Sequence, residues 1–462
     1  MIARRYHEET KHTIERLRAH RHLLDWANMP DPFRHYEGVP VVDLPADVAA
    51  PSIPALDVLL GAAGEPIARD GPTFLSQLLF YSASISATKV VPSTGYRYAL
   101  RVNPSSGNLH PTEFHFAARG LRGWEDGLYH YRVSSHMAEL RARGDFTAVL
   151  GGAPLVIVLT SIAWREAWKY RQRAYRYCLH DIGHAWQALA LAARALGCRT
   201  SAQAAFDDPA LAAGLRLAAD EWPMLTIAVS GPGVPLADTP REWLGGAPNR
   251  LSEEVIDYPF IEAVHAATSS SAPEPAPSAG GDSFAAVVRR RRSALDFEGG
   301  DRTITRRQLD TLLACADQPF SWDAARRAVH LYLYVHRVGD LDPGVYRWRP
   351  GRPELELVKS GDQRVVAAGL SLQQSLAGNS CVTFSMIADF ETERAYRTAH
   401  IEAGAIGQRF YLAAEAQGFQ STGIGAFFDD QVHRYLGIEP EEGQVIYHFA
   451  SGFAIPDGRL SA

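Results

Sequence analysis

Apolar and polar residues follow one another along the chain in the two patterns that are typical of strands and of helices. Four mainly apolar runs predict strands, at residues 153–160, 225–229, 329–335 and 444–450, and the first of them is expected to be buried. Two stretches with apolar residues at helical spacing predict long helices, at residues 180–196 and 401–417. The first helix is expected to carry its apolar residues on one face: Ile182, Trp186, Leu189, Ala193 and Leu196. The combination predicts an α+β fold.

The second half of the chain repeats the first half. The segment Gly127–Arg132 recurs at Gly344–Arg349, 217 residues later, and Arg173–Arg176 recurs at Arg394–Arg397, 221 residues later. Each arginine-rich segment is followed by an acidic residue, a glycine two positions later and an alanine-rich stretch that ends in glycine. Several matches in the same order and at nearly constant offset indicate a duplication. We therefore expect a pseudo-dimer within one chain, with sites where the copies meet.

Composition divides the chain into four segments. Residues 1–70 begin with a charged helical stretch and then become rich in proline, which is typical of an arm that wraps a domain. Residues 71–250 and 284–462 are the two copies of the repeat. Residues 251–283 include a stretch rich in Ser, Pro, Ala and Gly, from Ala266 to Ser283, which predicts a flexible linker.

Overall composition narrows the classes of function. The 462 residues are 46% hydrophobic and 21% charged, as in ordinary globular proteins, and the net charge of −6 argues against nucleic acid as a partner. The charged N-terminal stretch has no apolar signal-peptide core, and the longest apolar run, Leu155–Leu159, is too short to span a bilayer. Four widely spaced cysteines without a CxxC pair argue against a disulfide framework and a structural zinc cluster. We expect a protein of the reducing cytoplasm without membrane association.

Two segments carry polar groups suited to a ligand. Four arginines precede Ser293, and guanidinium and hydroxyl groups side by side suit a phosphate, while a run of arginines is also typical of a solvated surface. A second segment combines turn-forming and hydrogen-bonding residues, namely Arg101, Pro104, Ser105, Ser106 and Asn108. It is either an ordinary turn or a loop whose hydroxyl and N–H groups face a polar ligand. The residues alone leave both alternatives open.

The dipeptide Lys169-Tyr170 occurs in the first copy only. The matching positions in the second copy are Phe390 and Glu391. A duplicated protein needs only one working set of catalytic groups, so an asymmetric pair inside a repeated block indicates a function.

Two histidines, His180 and His184, are spaced to share one face of a helix, as in zinc sites. The zinc-protease motif requires glutamate after the first histidine, and here that residue is Asp181. The second copy has no such pair, so we expect no metal. The sequence also lacks a Walker loop, a G-x-G-x-x-G turn after a strand and a G-x-S-x-G elbow. These absences argue against a P-loop protein, a classical dinucleotide-binding protein and an α/β-hydrolase.

The ordered set of segments resembles the flavin-dependent nitroreductase superfamily and, within it, the SagB-type dehydrogenases, which form thiazole and oxazole rings. The resemblance covers about residues 70–462. The segments that carry it are Ser76–Phe80, Arg101–Gly107, Gly127–Tyr131, Lys169–His184, Arg291–Phe297 and Gly423–Phe427.

Nitroreductases are domain-swapped α+β homodimers that bind FMN at the subunit interface. The resemblance therefore implies tandem nitroreductase-like domains that form an intramolecular pseudo-dimer with FMN as cofactor. Arg-Arg-Ser occurs only in the second copy, and Pro-Ser-Ser-Gly-Asn only in the first. One complete FMN site across the two copies is expected, and the reciprocal site would lack both halves.

By the same resemblance, Arg291 and Ser293 hold the phosphate end, with Arg292 beside them and Arg459 as a further candidate. The backbone of Ile424, Gly425 and Ala426 is expected against the reactive edge of the flavin, and residues Pro104, Ser105, Ser106 and Asn108 are expected to close the site. Leu295 stands where the family usually has a second basic residue. The positive charge near the pyrimidine edge is therefore expected from elsewhere, with Arg101 as the candidate.

In the dehydrogenase branch, the Lys-Tyr pair, here Lys169 and Tyr170, is associated with catalysis. Oxidising an azoline removes a carbon-bound proton as hydride leaves, so lysine suits the base and tyrosine suits a proton relay. The resemblance implies an FMN-dependent dehydrogenase or oxidase acting on C–N or C–C bonds of a small molecule or a modified peptide, with a biosynthetic enzyme as a possible partner. Two alternatives stay open: an NAD(P)H-dependent nitro- or quinone-reductase and a non-catalytic flavin-binding scaffold.

Overall fold

The structure is a computed structural model. It describes residues 2–19, 23–66, 70–92, 95, 97–147, 153–230, 240–266, 282–323, 328–439 and 442–459. Most of the stretch predicted to be a flexible linker, residues 267–281, lies outside the described residues.

The first half contains helices and strands in mixed order. Its helices are α1 Ile2–Glu9, α2 Ile14–Ala19, α3 Ala55–Leu59, α4 Gly71–Phe80, α5 Ala163–Tyr170, α6 Ala174–Ala195, α7 Asp208–Gly214 and α8 Pro259–Ala266. Its strands are β1 Tyr36–Glu37, β2 Val41–Asp43, β3 Ile85–Val90, β4 Arg97–Arg101, β5 Thr112–Ala118, β6 Gly127–Arg132, β7 Met137–Arg143, β8 Leu155–Ser161, β9 Thr200–Gln203, β10 Trp222–Val229, β11 Glu242–Trp243 and β12 Ala247–Pro248.

The second half repeats this pattern with fewer elements. Its helices are α9 Phe284–Arg290, α10 Arg306–Asp317, α11 Arg364–Leu370, α12 Ser375–Asn379, α13 Glu393–Ala416 and α14 Asp429–Leu436. Its strands are β13 Val329–Val335, β14 Gly344–Arg349, β15 Arg352–Ser360, β16 Val382–Ala388, β17 Gln420–Ile424 and β18 Gln444–Gly452.

Each half contains one large sheet, and the two sheets have the same strand order. The first runs β7-β6-β5-β8-β10-β9, extended by β11 and β2 at the β7 edge, and the second runs β15-β14-β13-β16-β18-β17. Neighbouring strands in both sheets are antiparallel. An identical order of corresponding strands confirms the tandem α+β arrangement that the internal repeat predicts.

The four predicted strands are all present. The strand 329–335 has the predicted bounds, and the others differ by one to three residues at an end. These strands are almost entirely buried: every residue of β8 is buried, and β10, β13 and β18 each contain only one or two partly buried residues.

The two long helices begin earlier than the apolar spacing predicts, at Ala174 and Glu393 instead of 180 and 401. Thr392 caps α13 by accepting a hydrogen bond from the N–H of Ala395 at 3.1 Å. The five apolar residues expected on one face of α6 are all buried, and the other faces are enclosed as well, because every residue from Ala174 to Leu189 is buried. A helix buried on all sides has no polar face to mark where it begins.

The helices α6 and α13 pack against each other at the centre of the molecule. The approach is closest at Gly183 and Gly404, where a Cβ on either glycine would lie 2.1 Å from a carbonyl oxygen of the other helix. These glycines are the ones that the repeat places two positions after an acidic residue. The close contact fixes how the two halves meet, and the candidate site lies beside it.

The N-terminal segment extends across both halves. Helix α1 packs against α8 and α13, and Lys11 forms an ion pair with Asp430 in the second half at 2.7 Å. Further along, β1 pairs with β12 and β2 pairs with β7 of the first half. Among the described residues, no helix is long and apolar enough to cross a membrane.

Candidate active site

A cavity of about 440 Å³ lies between the two halves. It brings together most of the residues that the sequence predicts for a cofactor: Arg101, Pro104, Ser105, Ser106, Asn108, Arg291, Arg292, Ser293, Ile424, Gly425 and Ala426. Tyr170 also lines it, while Lys169 and Arg459 line an adjoining cavity. The size falls within the range of about 300–1,000 Å³ that is usual for ligand sites.

Arg291 and Ser293 reach the cavity because helix α9 ends at Arg290. After the helix, the chain runs alongside β17, where the N–H of Ala294 donates to the carbonyl of Ser421 at 3.0 Å. The guanidinium of Arg291 is buried and uses Nε and Nη2 to bind the carbonyls of Val102 and Arg101 across the interface. Its Nη1 is buried without a hydrogen-bond partner among the described residues. Burial lowers the pKa of Arg291 to about 10, so it remains a cation at neutral pH.

Tyr411 on α13 holds this wall in place. Its hydroxyl lies 2.8 Å from Oγ of Ser293 and accepts a hydrogen bond from the N–H of Gly423 at 2.9 Å. The Arg291 guanidinium lies over the Tyr411 ring, 4.9 Å from its centroid. Tyr411 therefore connects the arginine segment to the glycine-rich segment after β17.

The glycine-rich segment has no room for side chains at two positions. A Cβ on Gly423 would lie 2.0 Å from Oη of Tyr447, and one on Gly425 would lie 2.3 Å from Cε1 of Tyr177. The carbonyl of Gly425 accepts hydrogen bonds from Arg173 and Tyr177. Within the described part of the chain, its amide N–H and that of the next residue donate to no protein acceptor. The backbone can therefore lie directly against a ligand with its donors available.

The opposite wall is the loop 104–108, which Asp181 of α6 fixes. The Asp181 carboxylate accepts a hydrogen bond from Oγ of Ser105 at 2.7 Å and from both the N–H and Oγ of Ser106 at 3.0 Å. Burial raises the pKa of Asp181 to about 7, although the serine donors oppose this shift. Asp181 is one of the acidic residues in the internal repeat, and its counterpart Glu402 accepts the N–H groups of Ala328 and Val329.

Sequence reasoning missed several residues of this wall. Tyr177, Asp181 and His184 all face the cavity, at positions i, i+4 and i+7 of α6. This spacing was the available signal, since it places three polar side chains on one helix face. His184 Nε2 lies 3.2 Å from the hydroxyl of Tyr447, and burial lowers the pKa of His184 to about 3, so it is neutral.

His180, the other histidine of the pair tested for metal, faces away from this cavity. Its ring stacks on that of Tyr447 with centroids 4.0 Å apart. Within the described residues, no group of three or more His, Cys, Asp or Glu side chains is arranged to hold a metal ion.

Lys169 and Tyr170 end helix α5 beside the loop 104–108. Gly107 has a φ of +61°, and a Cβ there would lie 2.6 Å from the Tyr170 hydroxyl and 3.0 Å from Lys169 Nζ. Lys169 Nζ lies 5.2 Å from the centroid of the Tyr170 ring and forms no ion pair with a described carboxylate. Glu166, one helical turn before the pair, is fully buried. Burial and the neighbouring Asp181 raise its pKa well above the usual value, although Lys169 and Ser105 oppose this.

The adjoining cavity, of about 570 Å³, contains Lys169 and Arg459. Arg459 forms an ion pair with Asp457 at 2.8 Å, and Asp457 also binds Lys89 at 2.7 Å. The structure therefore does not bring Arg459 to the wall that holds Arg291. The guanidinium of Arg101 donates to the carbonyls of Thr112 and Pro32 instead of reaching across the cavity.

The reciprocal position, related by the repeat, is arranged differently. Ala204 and Ala205 correspond to Gly425 and Ala426 at an offset of 221 residues. Their N–H groups donate to the carboxylate of Asp323, at 2.6 and 3.2 Å. The N–H groups of Gly425 and Ala426 are therefore available to a ligand, whereas the corresponding N–H groups at the reciprocal position are bound by a protein carboxylate.

These features fit the FMN that the resemblance implies. A phosphate requires cationic or hydroxyl donors, and the unpartnered Nη1 of Arg291 lies with Ser293 at one side of the cavity. The polar edge of a flat ring can accept hydrogen bonds from backbone N–H groups, and the Gly425 segment offers such donors where no side chain intervenes. The residues present are therefore suited to hold FMN.

Comparison with known proteins relates most of the chain to the nitroreductase family. The model of the nitroreductase family matches residues 85–232 and 288–453. The solved structure of a putative nitroreductase from Anabaena variabilis matches 98% of this chain and 99% of its own. The TM-score is 0.75 and the sequence identity is 24%. MJ1384 from Methanocaldococcus jannaschii is 27% identical over 167 residues, 33% of this chain and 83% of its own.

A further relative is the trifolitoxin operon protein TfxC from Rhizobium leguminosarum bv. trifolii. It is 30% identical over 144 residues, which are 29% of this chain. The match spans 40% of the length of TfxC.

Proposed function

This chain belongs to the nitroreductase family, and we propose that it is an FMN-dependent dehydrogenase of the SagB type that oxidises an azoline ring in a modified peptide or a related small molecule. The observation that carries the proposal is the position of Lys169 and Tyr170, both in contact distance of the loop at Gly107 that closes the candidate flavin cavity. Removal of a carbon-bound proton from the substrate requires a positioned base, whereas hydride transfer from NAD(P)H to flavin does not. The pair is absent from the other copy, where Phe390 and Glu391 replace it.

Arg291, Ser293 and the backbone of Gly425 and Ala426 would hold the cofactor. When bound, FMN supplies a two-electron acceptor. Arg291 is suited to the phosphate because its Nη1 is unpartnered and its charge is buried, and a buried charge interacts more strongly with an anion than an exposed one. Ser105 and Ser106 are held rigidly by Asp181, so the opposite wall keeps its shape before a ligand arrives.

Lys169 is the residue we assign to take the proton from the substrate carbon as its bond is oxidised. Tyr170 lines the cofactor cavity, and Lys169 lines the adjoining one, so the pair stands at the boundary between them. Glu166 and Asp181, two buried carboxyl groups with raised pKa values, lie behind the pair. Raised pKa values favour the neutral, protonated forms of these carboxyl groups, so they place little negative charge beside the pair.

The relative TfxC, named for the trifolitoxin operon, supports a role in making a specialised product, with a biosynthetic enzyme as partner. Leu295, in place of a basic residue, favours the non-catalytic alternative, whereas the intact Lys169-Tyr170 pair favours catalysis.

The experiment that tests this proposal measures azoline oxidation by the flavin-loaded protein in the absence of oxygen. Purified flavin-loaded protein is mixed with a synthetic thiazoline peptide, and flavin absorbance near 450 nm and thiazole formation are followed together. We expect bleaching with one thiazole formed per flavin, and renewed turnover when oxygen is admitted. Rapid bleaching by NADPH with no response to thiazolines would favour the nitro- or quinone-reductase, and no bleaching by either would favour a non-catalytic flavin-binding scaffold.

A further inference from the structure

The cavity of about 570 Å³ beside the candidate flavin site is bounded by three parts of the chain. The N-terminal arm supplies Trp26 and residues 29–33, the β3–β4 hairpin supplies the opposite side, and the end of α5 supplies Trp168 and Lys169. This cavity shares residues with the flavin cavity, namely Lys89, Leu100, Gly107, Asn108 and Leu295. A molecule that reacts near Gly107 can therefore extend from one cavity into the other.

The arm wall is held by hydrogen bonds to its backbone. The carbonyl of Asp31 accepts Nε of Arg165 at 2.8 Å, and the carbonyl of Pro32 accepts Nη2 of Arg101 at 2.6 Å. The carbonyl of Asp25 accepts the indole N–H of Trp168 at 2.8 Å. Buried arginines thus fix the backbone of the arm, and the side chains it presents to the cavity are preorganised.

The lining of this cavity is aromatic and basic. Trp26 packs edge-on against Trp168 with ring centroids 5.4 Å apart, yet 62% of Trp26 is exposed, so its other surface is available to a ligand. Phe33 lies on the same wall, under the Arg101 guanidinium. The charged lining residues are Lys89, Arg97, Lys169, Arg459 and Asp31, and Asp457 forms ion pairs with Lys89 and Arg459, so the cations still outnumber the carboxylates. The excess of cations favours an anionic ligand over a cationic one.

We propose that this arm cavity binds the part of the substrate next to the oxidised ring, and that this part is a flat aromatic group on a substrate that also bears a carboxylate. The inference rests on the proposed function and adds its substrate class. The reacting bond lies at Gly107 and Lys169, and the aromatic group extends toward Trp26 and Phe33. The arm is then the element that determines which azoline is accepted.

The test uses ligands that cannot be oxidised further, so it does not depend on turnover. 2-Phenylthiazole-4-carboxylate and 2-methylthiazole-4-carboxylate are titrated into the flavin-loaded protein, with flavin absorbance and tryptophan fluorescence as two readouts. Burial of a phenyl group against aromatic side chains is worth about 1.5–3 kcal/mol, so the phenyl compound should bind at least about tenfold more tightly. Trp26→Ala should remove most of this preference and leave flavin content unchanged.

Leu23→Ala is the matched control, because Leu23 lies on the same arm, is 92% exposed and does not line the cavity. It should keep the full phenyl preference. Trp26 is itself exposed, so its replacement leaves the fold intact, and Phe33→Ala provides a second change in the same wall. Equal binding of the two compounds by the wild type, or an unchanged preference in Trp26→Ala, would overturn the proposal. A protein that shows the preference but oxidises no azoline would instead contradict the proposed function alone.

Discussion

Gly183 and Gly404 face each other across the contact between the two longest helices, and neither position has space for a methyl group. A Cβ on Gly183 would lie 2.1 Å from the carbonyl oxygen of Ile401, and one on Gly404 would lie 2.1 Å from that of His180. Because the obstacle is backbone in both cases, a side chain can be accommodated only if the helices move apart. Both helices supply residues that line the candidate site: Tyr177, Asp181 and His184 from α6 and Tyr411 from α13.

Gly183→Ala should therefore destabilise the protein and weaken flavin binding together. Overpacking a close contact usually costs about 1–3 kcal/mol, and a backbone obstacle places this change at the upper end. Denaturant unfolding and flavin content measure the two effects. Gly369→Ala is the control, since a Cβ at this position in α11 meets nothing within 4 Å, and it should be neutral or slightly stabilising. Equal stability of the Gly183→Ala variant and the wild type would contradict the packing argument.

Arg291→Ala should yield a protein that is folded but largely colourless after purification. The change removes the buried cation whose Nη1 has no protein partner in the described structure, and charged hydrogen bonds of this kind contribute about 1.5–3 kcal/mol. Flavin absorbance relative to protein absorbance measures the loss. Arg290→Ala removes a neighbouring arginine that binds Asp282 and Glu415 outside the cavity, and it should retain its flavin. If both variants lost flavin equally, the assignment of Arg291 would fail.

The purified protein should contain one FMN per chain. The second interface position has its backbone donors satisfied by Asp323, and the Arg-Arg-Ser and Pro-Ser-Ser-Gly-Asn segments each occur once. Release of the flavin by heat, followed by its absorbance and chromatographic identification, gives the ratio. Two equivalents of flavin per chain would show that the reciprocal position binds as well.

Lys169→Ala and Tyr170→Phe should abolish or sharply reduce substrate oxidation while flavin content and melting temperature stay near those of the wild type. Removal of a general base typically lowers the rate about 10²–10⁴-fold. Glu391→Ala changes the corresponding position in the second copy and should leave the rate unchanged. Flavin occupancy must be measured for each variant, because cofactor loss also lowers the rate. Full turnover by the Lys169→Ala, Tyr170→Phe double variant would remove the pair from the mechanism.

Asp181 should make the stability of the protein depend on pH between about 4 and 7. Burial raises its pKa to about 7 in the folded chain, from the ordinary value of 3.8. Over this interval the folded chain keeps the proton and the unfolded chain releases it, so stability falls as the pH rises, by about 1.4 kcal/mol per unit of pKa difference at most. In Asp181→Asn this fall should be smaller. Identical pH profiles of unfolding for the two proteins would contradict a raised pKa.

The amino-acid pattern was sufficient for the fold class, because the duplication and the apolar runs leave few alternatives to a tandem α+β arrangement. The pattern also singled out the segments at Arg291 and Ser105, which the structure brings to the same cavity, while their role toward a cofactor stays a prediction. Residues that act across the interface were harder to find. Tyr411 and Tyr447 have no local motif, and they become part of the site only because α13 and β18 bring them beside Gly423.

Arg459 is a residue that the sequence suggested for the site but that the structure does not bring to the Arg291 wall. A basic residue near the end of the chain matches the family pattern, but Asp457, two positions earlier, forms an ion pair with it and directs it toward Lys89. The contacts of Arg101 could not be predicted from its neighbours in the sequence either. Its guanidinium donates to the carbonyl of Pro32 in the arm, a contact between distant segments that spacing along the chain does not reveal.

The covalent connection of the two halves also affects how the candidate site behaves when the protein is diluted. When a site is built across the interface of two separate subunits, its occupancy falls once the concentration drops below the dissociation constant of the dimer. Here Arg291 and Ser105 belong to one polypeptide, so the second wall is always present at a high effective concentration. Retention of flavin should then be a property of each separate molecule and should not change when the protein is diluted.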